Sequence, residues 1–356
     1  MNASAAVPTR RDGCPKSMVF GPCGGVRDDG SCEVPGVAGA RRPCVFVDAP
    51  VPTWDPRALG PRDRRTLPGA PSAPSQLLAR ARQRPVVLTD LTVRPFDPAS
   101  VHAVTSALRG SCDAVLIGEH SNRPDLAPGV LAAEVRAAGG LPWVTLTCRD
   151  RNRVVLESEL GGLAVSGVAD GVLAVTGDAR AQGVREDVTQ VFDLDGPRLA
   201  ALAVGAGLPV AVPESPEAQP TADRPRRLLA KQQAGASLAV LNHVSSPARV
   251  AAFVRAARAL GATLPVIAGV AVYTDERSAR VLQNFPGLHL DDAQVERVLA
   301  APDPHAAGIA AAVAEAEELL AIDGVVGVNL SGLASARGEL AAAEVKAAVG
   351  RAVLGR

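Results

Sequence analysis

Aromatic residues and lysine are both scarce in this sequence of 356 residues. Two Trp, one Tyr and six Phe are its only aromatic side chains, so few groups can stack on a flat ligand. Lysine occurs only as Lys16, Lys231 and Lys346, and 37 basic residues balance 37 acidic ones. This neutral balance argues against a nucleic-acid-binding protein, which would show an excess of basic residues.

Long hydrophobic runs are also absent. No stretch of about 18 consecutive apolar residues is present, which argues against a transmembrane helix. Residues 1–11 contain no apolar segment of the kind found in secretory signals. Because 47% of the residues are hydrophobic, a sizeable core can still form. We therefore expect a cytoplasmic globular protein of one or two domains that binds neither membranes nor nucleic acid.

Four of the six cysteines lie near the start of the chain, at Cys14, Cys23, Cys32 and Cys44. Glycine and proline surround them, which predicts loops. So short a segment buries too little apolar surface to fold unaided and needs cross-linking by disulfides or by a bound metal. In a cytoplasmic chain, thiols grouped in this way indicate metal ligands more than disulfides. The spacing lacks the CxxC pairs of common zinc sites, so a [4Fe-4S] cluster, a zinc ion and loose reduced thiols all stay open.

Composition divides the chain into three parts. Residues 1–48 form the predicted metal-binding cysteine domain. Residues 49–74 are a linker rich in Pro and Arg with no hydrophobic period. The linker either wraps the following domain, with Trp54 and Leu67 as anchors, or is a flexible tether. Residues 75–356 form the main domain.

The main domain alternates short apolar runs with longer amphipathic stretches, which predicts an α/β fold. Eight runs are apolar throughout, as strands buried on both faces are. These runs are Pro85–Leu91, Ala114–Gly118, Pro142–Thr147, Gly171–Thr176, Leu208–Val212, Ser237–Asn242, Pro265–Val270 and Val325–Leu330. The alternation implies right-handed crossovers in a parallel sheet, and its size matches a (β/α)8 TIM barrel. A doubly wound open sheet is the alternative, but no Gly-x-Gly-x-x-Gly follows the first strand.

Polar residues follow the predicted strands, where TIM barrels carry their chemistry. The candidates at these positions are Asp90, Glu119, Thr145, Thr147, Thr176, Gly177, Asp178 and Asn242. Several carboxylates at one mouth fit acid–base chemistry, because mutual repulsion and burial can tune a carboxyl group towards neutral pH. The alternative is that strand-end Asp and Asn residues only cap the following helix.

Several segments of residues 85–330 resemble the methylenetetrahydrofolate reductase family. In chain order these segments are Leu146–Arg153 (LTCRDRNR), Asp170–Asp178 (DGVLAVTGD), Ala234–Ala236 and Leu264–Gly287 (LPVIAGVAVYTDERSARVLQNFPG). The preceding run of Cys-Pro-Lys, Gly-Pro-Cys-Gly-Gly, Cys-Glu and Cys resembles a small domain that accompanies some bacterial reductases of this kind, including those of acetogens.

The resemblance implies an oxidoreductase that reduces 5,10-methylenetetrahydrofolate to 5-methyltetrahydrofolate. Usually a flavin (FAD or FMN) carries the hydride from NAD(P)H. Protonation at N10 opens the five-membered ring and gives an N5 iminium that accepts hydride, so a proton donor must stand beside the pterin. Folate and a nicotinamide are the implied partners, and a second copy of the chain or a redox partner subunit stays an open alternative.

The resemblance also implies roles for individual residues. Asp90 stands where the family has its proton-donating Glu, and Glu119 is the other candidate acid. Asn242 stands where the family has a pterin-binding Gln. Both replacements shorten the side chain by one methylene, which matters for catalytic placement. Asp178 and Thr147 complete the predicted substrate contacts.

The flavin half of the site is largely rewritten. The predicted cofactor contacts are Thr145, Thr176, Gly177, Asp178 and Lys231. Val212 replaces the aromatic residue that lies beside the flavin in the family. Arg224, Arg227 and Ala230 replace the residues that bind its outer half.

Three hypotheses therefore stay open. The first is a reductase that binds flavin through altered contacts, and the second is a flavin-free reductase that passes hydride directly from NAD(P)H. The third is a folate-binding barrel that has lost reductase activity. Such a barrel would serve C1 transfer or act as a subunit, through the metal bound by its cysteines.

Overall fold

A computed structural model describes residues 7–60, 74–119, 124–178, 187–285 and 288–355. Its strands are β1 (Val86–Asp90), β2 (Ala114–Ile117), β3 (Pro142–Thr147), β4 (Gly171–Val175), β5 (Val210–Glu214), β6 (Leu238–Leu241), β7 (Val266–Tyr273) and β8 (Val325–Ala334). All pair in parallel with the next strand in chain order, and β8 closes the barrel on β1. The TIM-barrel prediction is confirmed, with strand ends shifted by a few residues.

Helices surround the barrel. They are α1 (Gln76–Ala81), α2 (Pro98–Leu108), α3 (Pro128–Ala137), α4 (Arg153–Ser166), α5 (Gly196–Gly205), α6 (Arg224–Gln233), α7 (Pro247–Ala259), α8 (Glu276–Gln283), α9 (Asp292–Leu299), α10 (Pro304–Leu320) and α11 (Glu339–Val353). Several begin at a proline preceded by a capping aspartate, such as Asp97 before α2 and Asp303 before α10. Within the described residues, no helix has the length and apolar composition needed to cross a membrane.

Strand residues alternate between the barrel interior and the layer beneath the helices. The interior residues of the strands are Val86, Leu88, Ala114, Leu116, Trp143, Leu173, Ala211, Leu238, Val240 and Ile267. Intervening residues such as Val87, Val144 and Val172 pack against the helices. Since both sets are apolar, the strands read as continuous hydrophobic runs in the sequence.

The amino-terminal end of the barrel is closed by α1. Asp170, which directly precedes β4, accepts hydrogen bonds from Ser75 Oγ at 2.7 Å, Gln76 N at 2.8 Å and Trp143 Nε1 at 2.9 Å. These bonds hold Leu77 against the interior cluster. The carboxyl ends of the strands are therefore the open end, where a ligand site is expected.

Residues 7–60 are loop-rich, as predicted for the cysteine domain. Their ordered elements are an isolated bridge between Ser31 and Pro43 and two short 3-10 turns at Val37–Gly39 and Pro56–Leu59. Buried apolar residues of this region include Met18, Val19, Phe20, Val26 and Phe46.

The first part of the predicted linker packs against the rest of the chain. The Trp54 ring lies 4.8 Å from the Phe20 ring, and Leu59 is buried in the main core cluster. Arg153 Nη1 donates to Leu59 O at 2.5 Å. Residues 61–73, including Leu67, lie outside the described residues, and the domain boundaries stay a prediction.

Candidate active site

The carboxyl ends of β4, β5 and β6 surround a cavity of about 230 Å³. Predicted site residues on its barrel wall are Thr176, Gly177, Asp178, Lys231 and Asn242. The N-terminal region contributes Lys16, Cys23, Gly24 and Gly25 to the lining. The sequence did not predict that the cysteine domain borders the barrel mouth, because nothing local in these loops indicates what they pack against.

Asp90 lies across the mouth from this cavity, at the end of β1. Asn329 Nδ2, on the adjacent β8, donates to Asp90 Oδ1 at 2.9 Å and to Ser331 Oγ at 2.8 Å. Lys346 Nζ donates to the backbone carbonyl of Asp90 at 2.9 Å. Because Leu88, two residues earlier, lies in the interior, strand alternation directs Asp90 into the mouth. Its Oδ2 atom has no hydrogen-bond partner among the described residues.

Glu119, the other candidate acid, is held by several donors. Thr147 Oγ1 donates to its Oε2 at 2.6 Å, and Thr147 N donates to its Oε1 at 3.3 Å. Arg151 Nη1 pairs with Oε1 at 2.7 Å. Glu119, Arg151 and Thr145 line a second cavity of about 230 Å³. The predicted residues therefore fall into three adjacent groups around one mouth.

A buried carboxylate joins the barrel wall of the first cavity. Glu214, at the end of β5, pairs with Lys231 at 2.7 Å, Arg224 at 3.5 Å and Arg227 at 3.8 Å. Burial alone would raise the pKa of Glu214, but the three cations lower it to about 2. Burial lowers the pKa of Lys231 to about 8, against the effect of the Glu214 charge. Three cations surround this one carboxylate, so the buried cluster around Glu214 carries a net positive charge.

The same arginines hold the N-terminal region on the barrel. Arg224 Nη2 donates to Cys23 O at 3.0 Å, and Arg227 Nη1 donates to Phe20 O at 2.6 Å. From the family resemblance, these two arginines are expected only to replace residues that bind flavin. In the structure they bind the backbone of the cysteine domain.

Two further contacts fix the N-terminal region over the end of β4. Asp195 Oδ2 accepts from Val19 N at 2.8 Å while Asp195 also caps α5. Lys16 Nζ donates to Gly177 O at 2.5 Å and forms an ion pair with Glu33. The two contacts join positions 176 and 161 residues apart, so no sequence motif shows them.

Three of the residues predicted to hold a flavin, Thr176, Gly177 and Lys231, are engaged by protein groups. Lys231 Nζ donates to Glu214 Oε2 at 2.7 Å and also to the carbonyl of Pro213. Thr176 Oγ1 accepts from Gly196 N at 3.0 Å. With the N-terminal region docked beside them, these residues do not fit a flavin held in the manner that the resemblance implies.

The four predicted metal ligands are not arranged as a ligand set in the described structure. Cys23 Sγ donates to Glu33 Oε1 at 3.5 Å, and burial raises the pKa of Cys23 to about 11. Burial and the nearby Cys32 and Cys14 raise the pKa of Cys44. Among the described residues, no group of three or more His, Cys, Asp or Glu is arranged to hold a metal ion. Thiols suit zinc or a [4Fe-4S] cluster chemically, but as placed they do not form a ligand set, and metal binding stays a prediction.

Comparison with known proteins identifies the family. The methylenetetrahydrofolate reductase family matches residues 121–343, more than half of the chain. A second family, described as methylene-tetrahydrofolate reductase C terminal, matches residues 4–51. No curated protein matches the chain.

Solved structures are similar to this chain at low identity. An uncharacterized protein from Clostridium thermocellum, which binds two copies of 5-methyl-5,6,7,8-tetrahydrofolic acid, is similar with a TM-score of 0.59 and 13% identity, covering 78% of this chain and 100% of that one. Oxaloacetate acetylhydrolase, solved with 3,3-difluorooxalacetate, has a TM-score of 0.41 and 13% identity, covering 71% of this chain and 87% of its own. The identification therefore rests on the family match across residues 121–343: the chain belongs to the methylenetetrahydrofolate reductase family.

Proposed function

We propose that the chain reduces 5,10-methylenetetrahydrofolate to 5-methyltetrahydrofolate, with hydride passing directly from NAD(P)H to the folate. Family membership supports a folate-dependent reductase, and the similar Clostridium thermocellum protein binds 5-methyltetrahydrofolic acid. The observation that carries the proposal is the position of Asp90. Its carboxylate faces the barrel mouth with one oxygen unengaged by the described residues.

The reaction consumes one proton and one hydride. A proton delivered to N10 allows the bond between N10 and the bridging carbon to break, which leaves an iminium at N5. Hydride from the nicotinamide then adds to that carbon and gives the N5-methyl group and NAD(P)⁺. The barrel mouth has to hold both reactants in contact and keep water from the iminium.

We assign the proton to Asp90 rather than to Glu119. Both oxygens of Glu119 accept hydrogen bonds, and one also pairs with Arg151. A proton on Glu119 would therefore replace an existing bond. Among the described residues, the side chain of Asp90 is bonded only by the Asn329 amide on one oxygen, so its second oxygen can carry a proton towards a ligand. Glu119 then orients Thr147 and Arg151.

Asn242 and Asp178 are assigned to the edge of the pterin. Both line the cavity, and a pterin presents ring N–H and amino donors beside a carbonyl acceptor, which suit a carboxylate and an amide. Asn242 Nδ2 donates to Ser215 Oγ at 2.8 Å, so its amide is oriented before the ligand binds. Thr147 lies next to this group, because a Cβ on Gly177 would approach Thr147 Cβ to 3.2 Å.

Direct hydride transfer is supported by the way the cavity wall is built. Lys231 is occupied by Glu214, and Arg224 and the Nη1 atom of Arg227 are occupied by the backbone of the N-terminal region. The cavity of about 230 Å³ is smaller than the ~300–1,000 Å³ of typical ligand sites. It therefore suits the pterin ring alone, so the hydride donor has to lie in the open mouth beside the cavity and not against the wall where the family holds a flavin.

A metal in the cysteine domain is assigned no step of this reaction. In a loop-rich segment as short as residues 7–60, bound zinc or a [4Fe-4S] cluster would contribute to folding. We therefore assign any such metal a role in stabilising this region and no role in the reaction.

One experiment tests the proposal. The full chain, purified anaerobically, is examined by absorbance spectroscopy and metal analysis, and then assayed for NAD(P)H oxidation that depends on methylenetetrahydrofolate, with no flavin added. We expect no flavin absorbance and the formation of 5-methyltetrahydrofolate. Bound flavin whose removal abolishes turnover would establish the flavin-dependent alternative. Folate binding without any turnover would establish a barrel that has lost reductase activity.

A further inference from the structure

Cys23 differs from the other cysteines of the N-terminal region in its surroundings. It lines the cavity at the ends of β4–β6, together with Asp178 and Asn242. Its sulfur bonds to Glu33 and not to another thiol. Cys14, Cys32 and Cys44 are absent from that lining.

The loop that carries Cys23 is built for close approach to the barrel. A Cβ on Gly24 would lie 3.1 Å from Ser215 Oγ, and a Cβ on Gly25 would overlap the Glu33 carboxylate. Glycine at both positions lets the backbone reach the ends of the strands. Arg224 then holds the loop through Cys23 O at 3.0 Å.

Buried charges behind Cys23 fix its position. Glu33, which accepts from the Cys23 thiol, is 1% exposed and pairs with Lys16, which is 2% exposed. Lys16 also donates to Gly177 O and lies 5.4 Å from the centre of the Phe192 ring. These contacts connect the thiol to the backbone next to Asp178.

A second feature of the same cavity points to a ligand. Arg227 lines the cavity and is 3% exposed, yet its Nε has no hydrogen-bond partner in the described structure. The nearest carboxylate oxygen, Glu214 Oε2, lies 3.8 Å away. A buried N–H donor is costly to leave unpaired, so an acceptor on a bound ligand would complete this wall.

Resting on the proposed function, we infer that Cys23 belongs to the folate pocket and is not a metal ligand. Its thiol contacts the reduced pterin ring held by Asp178 and Asn242, and Glu33 and Lys16 are the positioning residues behind it. The cysteine domain therefore supplies one wall of the folate site.

Alkylation of the wild-type chain tests this inference, and its result does not depend on whether a variant folds. The protein is treated with N-ethylmaleimide with and without saturating 5-methyltetrahydrofolate, and each cysteine is quantified by mass spectrometry. We expect the folate to slow modification of Cys23 and to leave Cys112 unaffected, because Cys112 lies at the amino-terminal end of the barrel beside another cavity. Equal modification of Cys23 in both samples would overturn the inference.

A matched pair of variants separates the pocket from any metal. Cys23→Ala should keep the metal content of the wild type and weaken folate binding by up to about tenfold, the upper end of a sulfur–ring contact. Cys112→Ala changes a thiol at the amino-terminal end of the barrel, outside both the cavity and the cysteine domain, and should leave folate affinity unchanged. Loss of metal from Cys23→Ala would overturn the inference. If the wild-type chain binds no folate, the proposed function itself fails, which is a distinct result.

Discussion

Asn329 Nδ2 donates to Asp90 Oδ1 at 2.9 Å across the seam where β8 closes on β1. The other amide atom, Asn329 Oδ1, is buried and has no partner among the described residues. An amide can donate to a carboxylate or, by turning over, accept from a carboxylic acid. Asn329 can therefore hold Asp90 both before and after it gives up a proton.

Asp90→Asn removes the proposed proton donor with little change in shape. We expect kcat to fall by about 10²–10⁴-fold, the usual contribution of a general acid, while the affinity for 5-methyltetrahydrofolate changes little. Methylenetetrahydrofolate-dependent NAD(P)H oxidation and calorimetric binding measure the two quantities. A variant that keeps the kcat of the wild type would disprove the assignment.

Glu119→Gln gives the matched comparison at the other carboxyl group. It keeps the shape but weakens the pairing with Arg151 and the bonds from Thr147. Because we assign Glu119 to orientation, we expect a higher KM for the folate and a kcat within about tenfold of wild type. If kcat instead falls as far as in Asp90→Asn, Glu119 is the acid.

Acid should weaken the fold through Glu214. Its pKa in the folded chain is about 2, below the ordinary value of 4.5, so its contribution is present above pH 4.5 and is lost as the pH falls towards 2. The loss is about 3 kcal/mol of unfolding free energy. Urea unfolding at a series of pH values measures it. The unfolding free energy of Glu214→Gln should lack this part of the pH dependence. At neutral pH the variant should be less stable than the wild type by about 3–5 kcal/mol, because three buried cations lose their partner.

Lys16→Met should release the cysteine domain from the barrel. The change leaves Glu33 buried without its cation and removes the bond to Gly177 O, which costs several kcal/mol. Limited proteolysis should then cut residues 7–60 faster while the barrel stays intact. Arg41→Met is the control in the same domain, because its pair with Asp29 is exposed and contributes little to stability. Equal proteolysis of the two variants would contradict the docking role of Lys16.

The barrel could be predicted from the sequence because each of its strands is marked by a local sequence pattern. Each strand is a short apolar run, and strand order follows chain order. The same logic placed Asp178 and Asn242 at the carboxyl ends of strands, and both line the cavity.

The docking of the cysteine domain could not be predicted in this way. Lys16 and Gly177 are 161 residues apart, and their contact depends on the complete fold. Arg224 and Arg227 stand at positions where the family binds flavin, so their sequence positions indicate a cofactor contact. Only the structure places backbone carbonyls of the N-terminal region against them. The separation of Cys23 from the other thiols escaped prediction for the same reason, since cysteine spacing does not show which way each thiol points.

The N-terminal region that contacts the barrel through Lys16 and Cys23 O is part of the same polypeptide as the barrel, so its docking is an intramolecular equilibrium. For a short linker, the effective concentration of one domain at the other is on the order of millimolar. Guanidinium–carbonyl bonds such as Arg227 to Phe20 O can therefore keep the domain seated at an affinity that would leave two separate polypeptides apart at cellular dilution. The covalent connection therefore makes a weak interface sufficient for docking. A barrel expressed without residues 1–74 should bind the separate N-terminal segment only when that segment is added at high concentration.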